Sequence, residues 1–303
     1  MSWKEVLVFV FLIAVVALLA IYWFFPLNEI EFLTSGPVNT NFTINSSQQN
    51  MQFYENMRYP NKEISYRIEN CNLQKTDEMT RAFGIIEGFT VLNFYSVNNN
   101  EEILVTCDSE TKIKGDLFIA GEGGPVKITE SQNFNVIHEG AITLIRESKC
   151  ENPNVAVHEL LHALGFEHSE NPDNIMYFVS TCEQEIGQDI VDLINSLYSI
   201  PSYSDLAFEN ASALQHQRYL DINMTIRNNG LKDSENSKIF IYADNKIIKE
   251  FDVESISISG GRMISLKNIL VLQTGIDKIE LFIDYNFPEL DKDNNKIILE
   301  IKK

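Results

Sequence analysis

The stretch Val157-His158-Glu159-Leu160-Leu161-His162-Ala163-Leu164-Gly165-Phe166-Glu167-His168 decides how the first half of the chain is read. His158 and His162 stand four residues apart, so on a helix both imidazoles leave one face, a turn from each other. Two neutral ring nitrogens can then meet one metal ion at about 2.0–2.1 Å. Asn152 then Pro153 make a good helix start, with Pro at the first helical position. Gly165 can close the helix in a left-handed conformation, and the reversed chain brings His168 back as a third ligand. Three His ligands leave a fourth position for water, as in catalytic rather than structural zinc sites. Glu159, beside the first ligand, is placed to act as general base on a water whose pKa one zinc ion brings towards neutrality. The ligands bind as neutral imidazoles, so activity is expected to fall in acid. A bare HExxH occurs by accident on ordinary helices. Here three of the five histidines lie within eleven residues around a Gly, which makes the longer pattern far more specific.

Downstream follows Glu170-Asn171-Pro172-Asp173-Asn174-Ile175-Met176-Tyr177. With this continuation the segment resembles the matrixin branch of the metzincin metallopeptidases. The resemblance implies that Met176 forms a turn supporting the metal site and that Tyr177 is a wall or packing residue. Ser169 is the residue typical of matrixins after the third His. Arg58-Tyr59-Pro60-Asn61-Lys62-Glu63-Ile64-Ser65-Tyr66-Arg67-Ile68 is similar to the family's first strand, and Gln188-Asp189-Ile190 through Leu197-Tyr198 to its last helix. Phe178 departs from the family, which usually has Pro there. Neither a second-zinc loop nor an upstream latency Cys is evident. What the resemblance implies is an α+β, zincin-like catalytic domain with a mixed sheet and helices, cutting proteins or peptides bound in extended form.

Around the motif, Ile64, Tyr66 and Ile68 alternate as in a strand. Thr76 is expected to cap a helix whose Met79, Ala82, Phe83 and Ile86 share a face. Strands are expected at 92–97, 103–106, 117–120 and 141–145, and helices near 153–164 and 186–198. Leu117-Phe118-Ile119-Ala120, ahead of the glycine-rich 121–125, reads equally as a core strand or as the edge strand that pairs with substrate. Four cysteines lack CxxC spacing and permit two disulfides in an oxidising compartment. Chain position suggests Cys150 with Cys182, one just before the motif helix and one just after Met176, leaving Cys71 with Cys107.

Beyond Pro201 the pattern is all-β. Leu220, Ile222, Met224 and Ile226 alternate with polar residues, and Asn229-Gly230 is a turn signal. Further runs at 239–242, 247–251, 264–272, 279–283 and 297–301 argue for an immunoglobulin-like sandwich. Ser204-Asp205-Leu206, Arg227-Asn228-Asn229-Gly230 and Ile283-Asp284 to Asp293-Asn294-Asn295 resemble the CARDB-type modules of prokaryotic surface proteins. That resemblance implies a spacer or binding module and leaves its partner unknown. Asp284, Glu289, Asp291 and Asp293 offer oxygen ligands for calcium, although a solvated acidic loop is the preferred reading. His138 and His216, the latter in a polar stretch, receive no role.

Val6 to Phe25 is an unbroken run of 20 uncharged residues, long enough to cross a bilayer. Trp3 and Tyr22-Trp23 flank it as interfacial anchors, and Lys4 precedes it. The positive-inside rule puts the N-terminus in the cytoplasm and the bulk outside, secreted instead if the helix is cleaved. The expected organisation is therefore 1–25 cytoplasmic tip and transmembrane anchor, 26–56 stalk, 57–200 peptidase domain and 201–303 sandwich. N-x-S/T sequons at Asn41, Asn45, Asn210 and Asn223 are compatible with an exterior location. The 43 acidic against 24 basic residues, net −19, exclude a nucleic-acid partner. Two other functions compete with the peptidase. One is a surface adhesion protein with a vestigial zinc domain, which loss of Glu159 or a ligand would favour. The other is a zinc hydrolase of non-peptide amides.

Overall fold

The structure is a computed structural model that describes residues 2–24, 29–34, 51–110, 112–114, 117–147, 150–271 and 275–301. Near the N-terminus, helix α1 (Trp3–Phe24) is followed by strand β1 (Glu29–Thr34). The window Trp3–Ala20 has a mean hydropathy of 2.4 and is unburied, so the helix is long and apolar enough to span a membrane. The chain then divides into two compact units. One comprises residues 41–204 with 229–233, and the other 1–40, 205–228 and 234–303.

The first unit is built from β2 (Met57–Arg58), β3 (Glu63–Glu69), α2 (Leu73–Phe89), β4 (Asn93–Ser96), β5 (Ile103–Cys107), β6 (Ile113–Lys114), β7 (Leu117–Phe118), β8 (Gly121–Glu130), β9 (Asn135–Leu144), α3 (Asn154–Ala163) and α4 (Gln188–Tyr198). Strands β2, β9, β5, β3 and β4 pair in that order, all parallel, and β8 joins β9 antiparallel at the edge. This is a mixed sheet with helices, as the resemblance implied. Its core draws Ile64, Ile103 and Val105 from the sheet, Met79, Phe83 and Ile86 from α2, Leu160 and Leu161 from α3, and Ile190, Ile194 and Leu197 from α4. The N-cap of α2 is Asn72, not Thr76. The Asn72 side chain accepts the Lys75 N–H at 2.9 Å, whereas Thr76 lies inside the first turn and donates its hydroxyl to the Asn72 carbonyl. Arg58 is fully buried and donates to the Leu197 and Ile200 carbonyls, so the C-terminal end of α4 is satisfied by a side chain from β2. The bridges are Cys71–Cys107 and Cys150–Cys182, the pairing suggested by chain position.

The second unit contains β10 (Leu206–His216), β11 (Tyr219–Asn228), β12 (Ser237–Ala243), β13 (Lys246–Val253), β14 (Gly261–Leu270), β15 (Lys278–Asp284) and β16 (Lys296–Ile301). They pair as β13-β12-β15-β16 and β10-β11-β14, and β1 joins the two sets between β16 and β10. Alternate residues from both sets (Ile239, Ile241, Leu281 and Ile283 against Ala213, Ile222, Met224 and Ile226) form one core, as in a sandwich. Two features differ from the sequence reading. The polar stretch that holds His216 is the end of a strand, β10, which the sequence reading did not expect. Glu29–Thr34, assigned to an unpatterned stalk, is a strand inside this sheet, because its backbone pairs with β10 on one side and β16 on the other. Residues 35–50, with the sequons at Asn41 and Asn45, lie outside the described residues, whereas Asn210 and Asn223 are exposed on β10 and β11.

Candidate active site

Helix α3 is buried almost throughout because both of its faces are used. Val157, Leu160 and Leu161 enter the core, and His158 and His162 leave the other side together. Pro153 precedes the first helical residue, Asn154, as a cap without a side-chain bond. The helix ends as the sequence requires. Gly165 has φ +97°, the Gly165 N–H bonds the His162 carbonyl at 2.9 Å, and the Phe166 N–H reaches back to Leu161 at 3.0 Å. This paired closure needs a left-handed residue. A Cβ on Gly165 would also stand 2.9 Å from the Met57 side chain.

The reversal carries His168 back to the helix. His162 Nε2 lies 3.0 Å from His158 Nε2 and 3.1 Å from His168 Nε2. Among the described residues, this trio is the one group of three or more His, Cys, Asp or Glu whose donor atoms gather within 4.8 Å. The four acidic residues weighed for calcium do not gather in this way. Glu289 is buried and accepts the Leu206 N–H and the Asn295 amide, so it does not lie in a solvated acidic loop.

Whether the trio suits a metal is decided by its other nitrogens. His158 Nδ1 is 2.6 Å from the Ile175 carbonyl and His162 Nδ1 is 2.7 Å from the Phe166 carbonyl. A carbonyl oxygen only accepts, so each Nδ1 carries the proton and each Nε2 presents a lone pair. Burial lowers the pKa of both rings, that of His162 to about 4, with His158 adding to the effect. They are therefore neutral, and bare lone pairs face each other at hydrogen-bond distance with no proton between them. A cation resolves that repulsion, and separations near 3 Å suit a tetrahedral ion bound at about 2.0–2.1 Å. The residues present fit a zinc-sized ion.

Met176 is buried in the core, and its carbonyl accepts the N–H of Ser169, the residue after His168. Asn174 holds the turn through the Met176 N–H at 2.8 Å. The turn reaches the metal centre through its neighbour Ile175, whose carbonyl orients His158. Tyr177 pairs with Ser169 through an isolated parallel backbone bridge.

Glu159 is 6% exposed. Burial raises its carboxyl pKa to about 8, Glu122 adds to the rise, and a bond from the Gly123 N–H opposes it. A dication beside it would favour the carboxylate again. Strand β8 runs directly over this residue. A Cβ on Gly121 would meet the Glu159 side chain at 2.6 Å, and one on Gly123 would stand 2.9 Å from Glu159 Cα. The alternating glycines of Gly121-Glu122-Gly123 are therefore the close-approach face of a strand. The antiparallel edge strand is accordingly Gly121–Glu130, whereas Leu117–Phe118 pairs with Ile113–Lys114 in a separate two-stranded ribbon.

Beside the histidines opens a cleft of about 1040 Å³, walled by Ile119 to Gly123 on one side and Phe178 to Thr181 on the other. The second wall is fastened to the start of α3. Asn154 donates to the Thr181 carbonyl at 2.7 Å, and the Cys150–Cys182 bridge lies alongside. Sequence reasoning missed Asn154, and it noted 121–125 as glycine-rich without giving Gly121 and Gly123 a place over Glu159. It also missed Phe53, placed in the stalk. Residues 51–53 pair with 165–167, and the Phe53 ring stacks 5.8 Å from that of His162.

The first unit thus combines a mixed sheet with an antiparallel edge strand, a helix bearing two of three converging histidines and a turn at Met176. Residues 57–199 match the family model described as matrixin, and residues 204–298 match the one described as CARDB. Residues 57–199 are thus similar to matrixins and residues 204–298 to CARDB modules. Among solved structures, the CARDB domain of a Pyrococcus furiosus protein, described in complex with di-metal ions, is similar at 17% identity and a TM-score of 0.27. That match covers 32% of this chain and 88% of the other. A comparison with curated proteins finds no match.

Proposed function

We propose that the protein is a zinc-dependent endopeptidase that cuts proteins at the outer face of a membrane. The observation that carries this reading is the convergence of three Nε2 atoms, two of them stripped of their proton by carbonyl partners. His158, His162 and His168 would hold the ion. Zinc, when bound, lowers the pKa of a water and polarises a carbonyl oxygen. Glu159 takes a proton from the attacking water and delivers it to the leaving amine, and the Gly123 N–H keeps its carboxylate in place. The Ile175 and Phe166 carbonyls fix the two helical ligands, and Met176 supports Ile175 from the core. The exposed edge of β8 offers backbone groups to an extended peptide, which would add to the sheet as a further strand beside the cleft. Peptide and protein substrates follow from that edge, because an amide without an extended backbone cannot use it.

The location rests on α1, which would serve as an uncleaved single-pass anchor, with Lys4 on the cytoplasmic side and Glu29 and Glu31 outside. Two disulfides suit an oxidising exterior. The test uses residues 29–303, which retain β1. This protein should degrade an unfolded polypeptide, lose that activity to a zinc chelator and regain it with added zinc. Cleavage that ignores the chelator, or no cleavage by protein shown to hold zinc, would refute the proposal.

A further inference from the structure

The first strand of the CARDB-like unit is encoded at the other end of the chain from the rest of it. β1 runs antiparallel to β10 through Glu29↔His216, Ile30↔Gln215, Glu31↔Leu214, Phe32↔Ala213 and Leu33↔Ser212. It runs antiparallel to β16 through Phe32↔Ile301, Leu33↔Glu300 and Thr34↔Leu299. It is therefore an interior strand whose N–H and C=O groups are shared by two neighbours. Without it, β10 and β16 would each present an unpaired edge in the middle of the sheet.

Two facts of connectivity give this pairing a consequence. The last residue of α1, Phe24, precedes Glu29 by only five positions, and a fully extended connection of that length reaches about 18 Å at most. The sandwich is thus tied to the end of α1 by this short covalent link. Further, the stretch 41–204 is inserted between β1 and β10, joined to β1 through residues 35–40 and to β10 directly.

We infer that β1 is a strand-complementation joint that holds the enzyme to its anchor without a continuous chain. A cut between residues 35 and 50 severs the covalent path from α1 to the metal-binding unit. That unit remains bonded to β10, however, and β10 and β16 remain laddered to β1, which stays on the anchor. Main-chain pairing on both sides is the physics by which inserted strands bind durably in other sheets. Proteolysis of this segment, by the enzyme itself or by another, would produce a two-piece protein that stays on the membrane, not a shed enzyme. The inference extends the anchor reading of α1, and its test separates the two.

The experiment places a sequence-specific protease site within residues 35–50 of the full chain and cuts it in isolated membranes. The large fragment should stay in the pellet through salt and carbonate washes and leave only in denaturant. Phe32→Pro removes a ladder donor and fixes φ in an interior strand. That variant should stay in the pellet uncut and release its fragment almost completely once cut. A second arm needs no membrane. Soluble protein starting at residue 29, nicked at the same site and passed over a sizing column, should still carry the β1 peptide. Loss of that peptide under native conditions, or release of the wild-type fragment while uncut chain stays in the pellet, overturns the joint. Uncut chain in the supernatant overturns the anchor instead and leaves the sizing result to judge β1. If Phe32→Pro fails to fold, the wild-type sizing result decides alone.

Discussion

Replacing Gly123 by Ala tests how closely the edge strand is fitted to Glu159. The added Cβ would lie 2.9 Å from the Glu159 Cα and carbonyl carbon and closer still to its oxygen. Ordinary contacts of this kind need roughly 1 Å more, and the obstacle is helix backbone that cannot swing away. Strand β8 must therefore lift, and the Gly123 N–H that holds the Glu159 carboxylate lifts with it. Overpacking of this kind costs about 1–3 kcal/mol of stability, and a displacement of about 1 Å costs on the order of 10²-fold in rate. The expected outcome is a fall of about 10²-fold in kcat/KM on a peptide substrate and a lowered melting temperature, with zinc content unchanged. Two neighbours calibrate the result. Gly124→Ala adds a Cβ that meets nothing within 4 Å, so its stability should stay within about 0.5 kcal/mol of wild type. Gly121→Ala meets the Glu159 side chain and not the helix backbone, so it should lose activity with less loss of stability. Wild-type kcat/KM and melting in Gly123→Ala, or equal damage from Gly124→Ala, would refute the reasoning.

Gly165→Ala forces a side chain into φ +97° against Met57. It should destabilise the protein by about 1–3 kcal/mol and, by moving the Phe166 carbonyl that orients His162, weaken zinc binding ~10–100-fold in a chelator competition. Replacing Cys150 and Cys182 together with Ser opens a loop of 32-residue separation. It should cost about 3–4 kcal/mol in thermal unfolding and loosen the Phe178–Thr181 wall, raising KM for peptides, whereas an unchanged melting curve would contradict that bracing role. In the sandwich, burial raises the Glu289 carboxyl to about 7 and Asp205 to about 6. The folded state then holds these protons more tightly than the unfolded chain does. The stabilisation is complete below about pH 4 and is lost as pH rises through 6 to 7, a change on the order of 3 kcal/mol from each group. Calorimetry from pH 5 to 8 should show that decline in wild type and a flatter profile in Glu289→Gln. Stability that rises over this range would contradict it.

The parts legible in the sequence were those whose signal is local and chemical. Three histidines at fixed spacing around Gly165 needed only helix periodicity and one left-handed residue, and the structure gathers their nitrogens within 4.8 Å. The strands β11, β12 and β15 showed through because every second residue is a large aliphatic in the core. β10 lacks that mark. Its register shifts between Phe208 and Asn210, and its inward residues are then Ala211, Ala213 and Gln215, too small or too polar to announce a strand. β1 is six residues long and is specified by partners nearly two hundred positions away, which no local pattern encodes. β8 was hidden by its glycines, since the feature that suits it to lie over Glu159 is the absence of side chains. The carbonyls of Ile175 and Phe166 are backbone groups and leave no trace in residue type. Glu289 looked like a solvated acid because charge is visible in sequence and burial is not.

In the proposed mechanism three histidines hold a catalytic zinc and Glu159 moves the proton. Zinc content and peptide hydrolysis measured side by side, on wild type and on Glu159→Ala, test it most directly. One zinc per chain is expected in both proteins, because the ligands and their carbonyl partners are untouched, with hydrolysis lower by ~10²–10⁴-fold in the variant. Wild-type turnover by zinc-loaded Glu159→Ala, or wild-type protein that binds no zinc, would contradict it.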